Sequence, residues 1–240
     1  MQPYYHDDRA GITIYHGDCR EVLPQITADA VITDPPYKTR ATGVPIRGRG
    51  VAPRRSDTAA VGMPWGYSLG WMELLAPRQW IVYCNYQMLG DVCSTLEARA
   101  ILGCVFTWVK PNAPRMTRPV PRLDCEFVVW ARAEGANCGR MGMFKSMVIE
   151  APMPQAGCFA DERFVEAGGG KAIHPTQKPI AVVLPFIDRL DFNIAVDPFM
   201  GTGTTLDACK RLGRRAIGIE IDERYCEIAA RRLSQEVLQF

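Results

Sequence analysis

The chain predicts a doubly wound α/β fold with a mostly parallel, Rossmann-like sheet. Three observations carry that prediction. Short apolar runs recur along the sequence, several of them apolar over three or more consecutive positions, as strands covered on both faces require. Stretches with helical spacing separate some of these runs. The 240 residues, 48% of them hydrophobic, are enough to bury one large core.

In chain order the expected strands are 11–15 (GITIY), 30–33 (AVIT), 79–84 (QWIVYC), 104–109 (CVFTWV), 126–131 (EFVVWA), 193–197 (NIAVD) and 215–221 (RAIGIEI). A helix is expected to begin at Pro179, whose fixed φ suits a first turn, and to kink near Pro185. Leu206, Cys209 and Leu212 lie three apart and mark another, with Gly213 placed to end it. Tyr225, Ile228, Ala229, Arg232, Leu233 and Val237 give a C-terminal amphipathic helix that Asp222 can cap. The whole chain, 1–240, reads as a single domain. Residues 38–64, rich in Gly, Pro and Arg, read as a mobile loop, and 111–172, without a sustained period, as an insertion with its own small structure. GGG at 168–170 reads as a hinge or linker entering the next motif.

The net charge of +2 is too small to announce nucleic-acid binding, so only a local cluster could argue for it. Nine scattered cysteines with no CxxC pair, and only three histidines, predict free thiols in a reducing compartment rather than a metal site. His6 and His16 read as ordinary polar residues. The start, MQPYYHDDRAG, lacks the order of a signal peptide. No apolar run approaches the roughly 20 residues that span a bilayer. A soluble cytoplasmic protein without a membrane partner is therefore expected.

Two stretches carry chemistry. VDPFMGTGTTLDACKRLGRRAIGIEID (196–222) is a strand, a glycine turn, a helix, and a second strand with Glu220 at its tip, 23 residues after Asp197. Gly201 and Gly203 let the backbone turn tightly against a ligand, and a carboxylate at that second tip can accept from ribose hydroxyls. Leu206 stands where a dinucleotide site would want a third glycine, and no GxxxxGK follows, so a nucleoside without phosphates fits better. A glycine turn used only for packing is the plainer alternative. In AVITDPPYKTR (30–40) an apolar run ends in a carboxylate, two prolines and an aromatic ring. Asp34 lies where open α/β sheets bind ligands. The prolines fix the turn and leave carbonyls without competing amide donors, and Tyr37 offers a face for a planar ring. Together these are two acceptors for an exocyclic amino group and a stacking surface for its base.

DPPY (34–37), HPTQKP (174–179) and DPFMGTGTT (197–205), in that order, resemble the amino-group DNA methyltransferases that use S-adenosyl-L-methionine (AdoMet), in the circularly permuted β group. YHGDCREVLP (15–24) and IGIEIDERYCEIAARRL (217–233) add to the resemblance, which is weak over 38–75 and 111–172. It implies that Asp34, Pro35, Pro36 and Tyr37 are catalytic: Asp34 and the Pro35 carbonyl accept from the target amino group, and Tyr37 stacks on the extruded base. It implies that AdoMet is held by Asp18, Cys19, His174, Pro175, Thr176, Gln177, Lys178, Asp197, Pro198, Phe199, Gly201, Gly203, Thr204, Glu220 and Asp222. Glu220 would take the ribose hydroxyls, Phe199 the methionine part, and Asp18 with Cys19 the adenine. The 174–178 segment would close from the opposite side.

A basic run with no acidic residue, Lys38, Arg40, Arg47, Arg49, Arg54 and Arg55, reads as a clamp on the phosphate backbone. Arg115, Arg118, Arg122, Arg132, Arg140 and Lys145 make 111–172 the candidate target-recognition region, with Arg115 and Arg118 the named DNA contacts. Aspartate at 34 favours adenine N6 over cytosine N4 as target within the family, with duplex DNA as partner. Cytosine N4, an RNA or protein amide substrate, and a catalytically silent DNA- or cofactor-binding module remain as alternatives. No nuclease segment is recognisable, so any restriction endonuclease would be a separate partner, an unpartnered enzyme carried by a phage or used in regulation fits equally, and a homodimer is compatible with the family.

Overall fold

The computed structural model describes residues 1–37, 68–113, 124–153 and 177–234. Within them, nine strands form one sheet: β1 (Tyr5–Asp7), β2 (Ile12–His16), β3 (Ala30–Thr33), β4 (Gln79–Cys84), β5 (Ile101–Val109), β6 (Cys125–Arg132), β7 (Val148–Glu150), β8 (Ile194–Asp197) and β9 (Arg215–Glu220). Their order across the sheet is β1-β2-β9-β8-β3-β4-β6-β5-β7. The five strands from β2 to β4 in that order are mutually parallel. β6 runs antiparallel to both β4 and β5, and β1 antiparallel to β2.

The helices are α1 (Cys19–Val22), α2 (Leu89–Glu97), α3 (Ile180–Arg189), α4 (Thr204–Arg211) and α5 (Glu223–Ser234). They cover the two faces because successive strand residues point to opposite sides. Ile32 and Ile81 pack with Val182 and Phe186 of α3, Leu206 of α4 and Leu233 of α5. Their neighbours Val31 and Val82 pack on the other face with Val22, Val92, Leu96, Trp71 and Trp80. All four residues of β3 and all six of β4 are buried, which is why these runs carry no polar alternation.

The local signals behave as their chemistry dictates. Gly213 adopts φ 62° after α4. Its N–H bonds to the Lys210 carbonyl and that of Arg214 to the Cys209 carbonyl, the two closing bonds of a glycine-ended helix. Asp222 accepts from the Arg224 N–H at 2.9 Å and caps α5. α3 starts one residue after Pro179 and keeps Pro185 in its interior, where the missing N–H leaves the carbonyl of Ala181 without its helical donor.

Several expectations need correction. β1 and β7 were not expected, and β5 begins three residues earlier than its apolar run suggested. The described part of 111–172 is not a separate small structure: β6 and β7 are strands of the common sheet. The basic loop 38–64, the hinge at 168–170 and Val237 lie outside the described residues. Four cysteines, Cys19, Cys84, Cys209 and Cys226, are buried free thiols. No described helix is long and apolar enough to cross a membrane.

Gly218 in β9 shows how tightly the glycine turn is seated. A Cβ there would lie 2.4 Å from the Met200 sulfur and 2.8 Å from a Leu206 methyl. Gly218→Ala is expected to destabilise the protein by about 1–3 kcal/mol through overpacking. Thermal denaturation reads this as a lower midpoint, and an unchanged midpoint would contradict it.

Candidate active site

The strand order places a crossover at the centre of the sheet. From β3 the chain proceeds to β4 on one side, and from β8 to β9 on the other, while β3 and β8 are neighbours. Open α/β sheets take ligands in the crevice outside the carboxyl ends of two such strands. Here those ends are Thr33, followed by Asp34-Pro35-Pro36-Tyr37, and Asp197, followed by the glycine turn. The Thr33 hydroxyl donates to Asp197 Oδ1 at 2.7 Å and ties the two tips together.

On the β8 side, Asp197 is buried and also accepts from the Phe199 N–H at 3.1 Å. Burial pushes its carboxyl up to about 6, against the hydrogen bonds from Thr33, Thr205 and Phe199. Gly203 adopts φ 82°, and a Cβ there would lie 3.0 Å from that of Ala229, so the turn sits directly on α5. Glu220 at the tip of β9 spans the turn. One oxygen accepts from the Gly201 N–H at 3.0 Å and the other from the Asp222 N–H at 2.9 Å. Burial raises its carboxyl above the usual range. Each oxygen keeps further lone-pair capacity for a hydroxyl donor. Phe199 meets the Trp71 ring edge-on at 5.2 Å, and Pro198 is buried beside it.

Asp18 follows β2, where Gly17 N–H bonds to the Glu220 carbonyl at 2.9 Å, so it stands next to the β9 tip. It caps α1 and pairs with Arg20 at 2.6 Å. Although burial opposes ionisation, Arg20 holds the Asp18 carboxyl below its usual range. The Cys19 side chain turns into the core, and burial pushes its thiol up to about 12. The Thr204 hydroxyl is engaged by Arg232 at 3.3 Å, part of a buried pair of Arg232 with Asp207. The Asp222 side chain serves as the α5 cap.

On the β3 side, the Lys178 ammonium reaches Asp34 from just ahead of α3. It lies 2.5 Å from Asp34 Oδ2, 2.9 Å from the Tyr37 hydroxyl and 3.1 Å from Glu126 Oε2. The Tyr37 hydroxyl donates to the same Glu126 oxygen at 2.7 Å, and Lys110 holds the other Glu126 oxygen. The side chains of Lys178 and Lys110 are 6% and 8% exposed and those of Glu126 and Asp34 15% and 24%, so two buried ammonium groups and two partly buried carboxylates neutralise each other. Burial would discharge Lys178, but Asp34 and Glu126 outweigh it and raise its basicity. Burial also works against Glu126, yet Lys178 and Lys110 hold it below the usual range. For Asp34 burial prevails: despite Lys178, and with Glu126 adding repulsion, its carboxyl is raised. Asp34 Oδ1 is buried and has no hydrogen-bond partner among the described residues. A buried acceptor left open beside a strand tip fits an incoming N–H donor.

The structure thus brings Asp34, Pro35, Pro36, Tyr37 and Lys178 together on one side of the crevice. Asp197, Pro198, Phe199, Gly201, Gly203 and Glu220 line the other, with Asp18 alongside. Gln177 adjoins Lys178. His174, Pro175, Thr176, Lys38, Arg40, Arg47, Arg49, Arg54, Arg55, Arg115, Arg118 and Arg122 lie outside the described residues. Of the other recognition candidates, Arg140 is tied to Asp188 at 2.6 Å. Thr33, Lys110 and Glu126 were not anticipated. The available signal was Glu126 itself, a carboxylate opening an apolar strand run, which burial obliges to find cationic partners. A concavity of about 610 Å³ lies at the opposite end of the central strands, lined by Asp29, Asn193, Arg214 and others at the amino ends of β3, β8 and β9. No group of three or more His, Cys, Asp or Glu side chains placed to hold a metal occurs among the described residues.

A central crossover with carboxylates at the tips of β8 and β9, and a glycine turn between them, defines a Rossmann-like methyltransferase fold. The profile of the N6/N4 methyltransferases, a DNA methylase family, matches residues 28–231, and the chain belongs to that family. The type II methyltransferase M2.DpnII of Streptococcus pneumoniae is 27% identical over 261 residues, spanning 98% of this chain and 93% of that protein. M2.LlaDCHI of Lactococcus lactis subsp. cremoris is also 27% identical, over 98% of this chain and 93% of its own. Among solved structures, the complex of M1.HpyAVI with SAM is 27% identical with a TM-score of 0.64, covering 93% of this chain and 100% of that one. The PvuII DNA methyltransferase, cytosine-N4-specific, shares the fold at a TM-score of 0.67 and 16% identity, over 99% of this chain and 91% of that one.

Proposed function

We propose that the protein is a site-specific DNA methyltransferase acting on the N6 amino group of an adenine flipped out of duplex DNA. The observation that carries this reading is the Asp34–Tyr37 turn at the crossover, with the buried Oδ1 of Asp34 open to a donor and the glycine turn one hydrogen bond away. The methyl donor is S-adenosyl-L-methionine, and the residues present suit it. Glu220 and Asp18 are acceptors for its hydroxyl and amino groups, and the turn from Asp197 to Gly203 lets backbone approach its methionine part. Bound there, it supplies a methyl group on a positively charged sulfur.

The chain's own residues then have a defined task. An amino nitrogen conjugated to a base ring is a weak nucleophile, because its lone pair is delocalised. Asp34 and the Pro35 carbonyl, each accepting one amino hydrogen, favour the pyramidal form and point the lone pair at the methyl. Alignment and preorganised charge account for most of the acceleration. The amino nitrogen would gain the methyl as the sulfur gave it up and would carry the positive charge, and Asp34 is placed to receive the surplus proton. Flipping the base out costs a few kcal/mol, offset in part by stacking on Tyr37, about 1–3 kcal/mol per base. The basic run from Lys38 to Arg55 would hold the phosphates beside it, and Arg115 and Arg118 would contact the target sequence. The enzyme would work in the cytoplasm, any restriction endonuclease that shared its site would be a separate protein, and a homodimer is compatible with this role.

Aspartate at 34 is the basis for choosing adenine, as the family resemblance associates serine there with cytosine N4. The test is transfer of labelled methyl from AdoMet to unmethylated duplex DNA, with the nucleosides separated by mass spectrometry. N6-methyladenine is expected. N4-methylcytosine would retain the mechanism and overturn the base, and absence of label from DNA would overturn the reading.

A further inference from the structure

Glu126 belongs to none of the motifs that define the family resemblance, yet it touches both ammonium groups and the tyrosine hydroxyl of the β3 side of the site. It sits near the start of β6, hydrogen-bonded between β4 and β5, and pairs in register with Trp108 of β5. Its position is therefore set by the sheet rather than by a loop. Oε1 is held by Lys110, whose ammonium lies 4.6 Å from the Trp108 ring centre. Oε2 takes the Tyr37 hydroxyl at 2.7 Å and faces Lys178 at 3.1 Å.

The Lys178 contacts pose a problem for the reaction. Its ammonium sits 2.5 Å from Asp34 Oδ2, so the carboxylate that must receive an amino group already holds a cation. An incoming amino group presents N–H donors to the same carboxylate, and two sets of donors crowd one another. The ammonium is itself almost out of water, where a charge without a counter-ion is costly, so it needs a second acceptor within reach. Glu126 Oε2 is that acceptor. The same oxygen fixes the end of the Tyr37 ring, whose face is needed for the base.

We propose that Glu126 is a positioning residue: it takes the Lys178 ammonium from Asp34 as the target base enters, and anchors the Tyr37 hydroxyl throughout. The inference rests on the methyltransferase reading above. Without the charge of Glu126, Lys178 has only Asp34 to pair with, so the ammonium stays crowded against the carboxylate whose other oxygen must take the amino group, and the Tyr37 ring loses its strongest tether. Lys110 keeps Oε1 in place during the exchange, so Glu126 does not swing away with the ammonium.

The test compares wild type with Glu126→Gln and Glu126→Asp in single-turnover methyl transfer to DNA at saturating AdoMet, alongside AdoMet affinity by calorimetry and the thermal midpoint. Glutamine keeps the shape and removes the charge; aspartate keeps the charge and shortens the reach. Wild type is expected to be fastest, Glu126→Asp intermediate, and Glu126→Gln slower than wild type by about 100-fold, the cost of a misplacement of roughly an ångström. AdoMet affinity should be the same in all three. A role limited to balancing charge in the fold would lower the midpoint and leave the transfer rate of folded protein unchanged, and that result would overturn the proposal. Loss of AdoMet affinity in step with the rate would overturn it too, by showing general disruption of the site. If Glu126→Gln does not fold, equal rates for Glu126→Asp and wild type overturn the proposal, and slowing by aspartate at constant affinity supports it. An active wild type with unaffected variants leaves the methyltransferase reading standing, whereas a wild type that transfers no methyl to DNA overturns both.

Discussion

Asp34→Asn is expected to lower the rate of methyl transfer by about 10²–10³-fold, the scale of removing one preorganised electrostatic contact from a reacting centre, with AdoMet affinity retained. The change is nearly isosteric but turns one acceptor into a donor. Lys178 offers N–H donors to the Oδ2 position at 2.5 Å, so the amide oxygen must turn toward it. The amide N–H₂ then occupies the place of Oδ1, the buried acceptor without a partner. A target amino group would meet a donor where the reaction needs an acceptor. Single-turnover transfer of labelled methyl, with AdoMet binding measured separately, checks this, and a decrease smaller than about tenfold would contradict the placement of Asp34 at the reacting centre. The Glu126 and Tyr37 contacts of Lys178 survive the substitution, so the variant should remain folded.

Lys178→Met is the variant with the largest expected effect on stability. Lys178 is 6% exposed and pairs with both Asp34 and Glu126. Removing it leaves two partly buried carboxylates with only Lys110 to oppose them. Breaking a buried pair from one side costs about 3–5 kcal/mol, which for a chain of this size lowers the thermal midpoint by roughly 10 °C. The loss should depend on pH in a definite sense. Burial already raises the Asp34 carboxyl above its unfolded value, and loss of the ammonium raises it further. A carboxyl raised on folding contributes stability below its unfolded pKa, and that contribution is lost as pH rises through the folded value. Glu126 acts in concert: its lowered carboxyl contributes stability to wild type above its unfolded pKa, and Lys178 is one cause of that lowering. Both effects make the variant's deficit largest at neutral and alkaline pH and smaller toward pH 5. Thermal midpoints of variant and wild type across that range give the comparison. A deficit that grows on acidification would show that Asp34 and Glu126 are not the groups left unpaired.

These two variants also separate what is local in the chain from what is not. The strand of residues 30–33 was legible because three apolar residues and a β-branched threonine run together and a carboxylate-proline turn stops them. The end of α4 was legible because Gly213 supplies a left-handed residue that almost no other side chain allows. The glycine turn and Glu220 were readable for the same reason: each depends on neighbours a few residues away. β1 and β7, three residues each, were not readable, since so short a strand on the sheet margin carries no period. β6 was legible as a strand and misread as part of a separate insertion, because nothing in its own residues says that it pairs with β4 and β5.

The sequence by itself determined the chemistry offered at each strand tip: the carboxylate, prolines and tyrosine after β3, the aspartate and glycines after β8, and the glutamate closing β9. Local sterics and the hydrogen-bonding capacity of those side chains suffice for that. Only the tertiary structure decided that the first two tips are neighbours at the crossover, joined by Thr33 and Asp197. It alone brought Lys178 to Asp34 across 144 residues of chain and Glu126 to Tyr37 across 89. Strand order and the meeting of buried charges are set by which distant surfaces cover one another and by the need to neutralise an ammonium out of water. No window of sequence contains either condition.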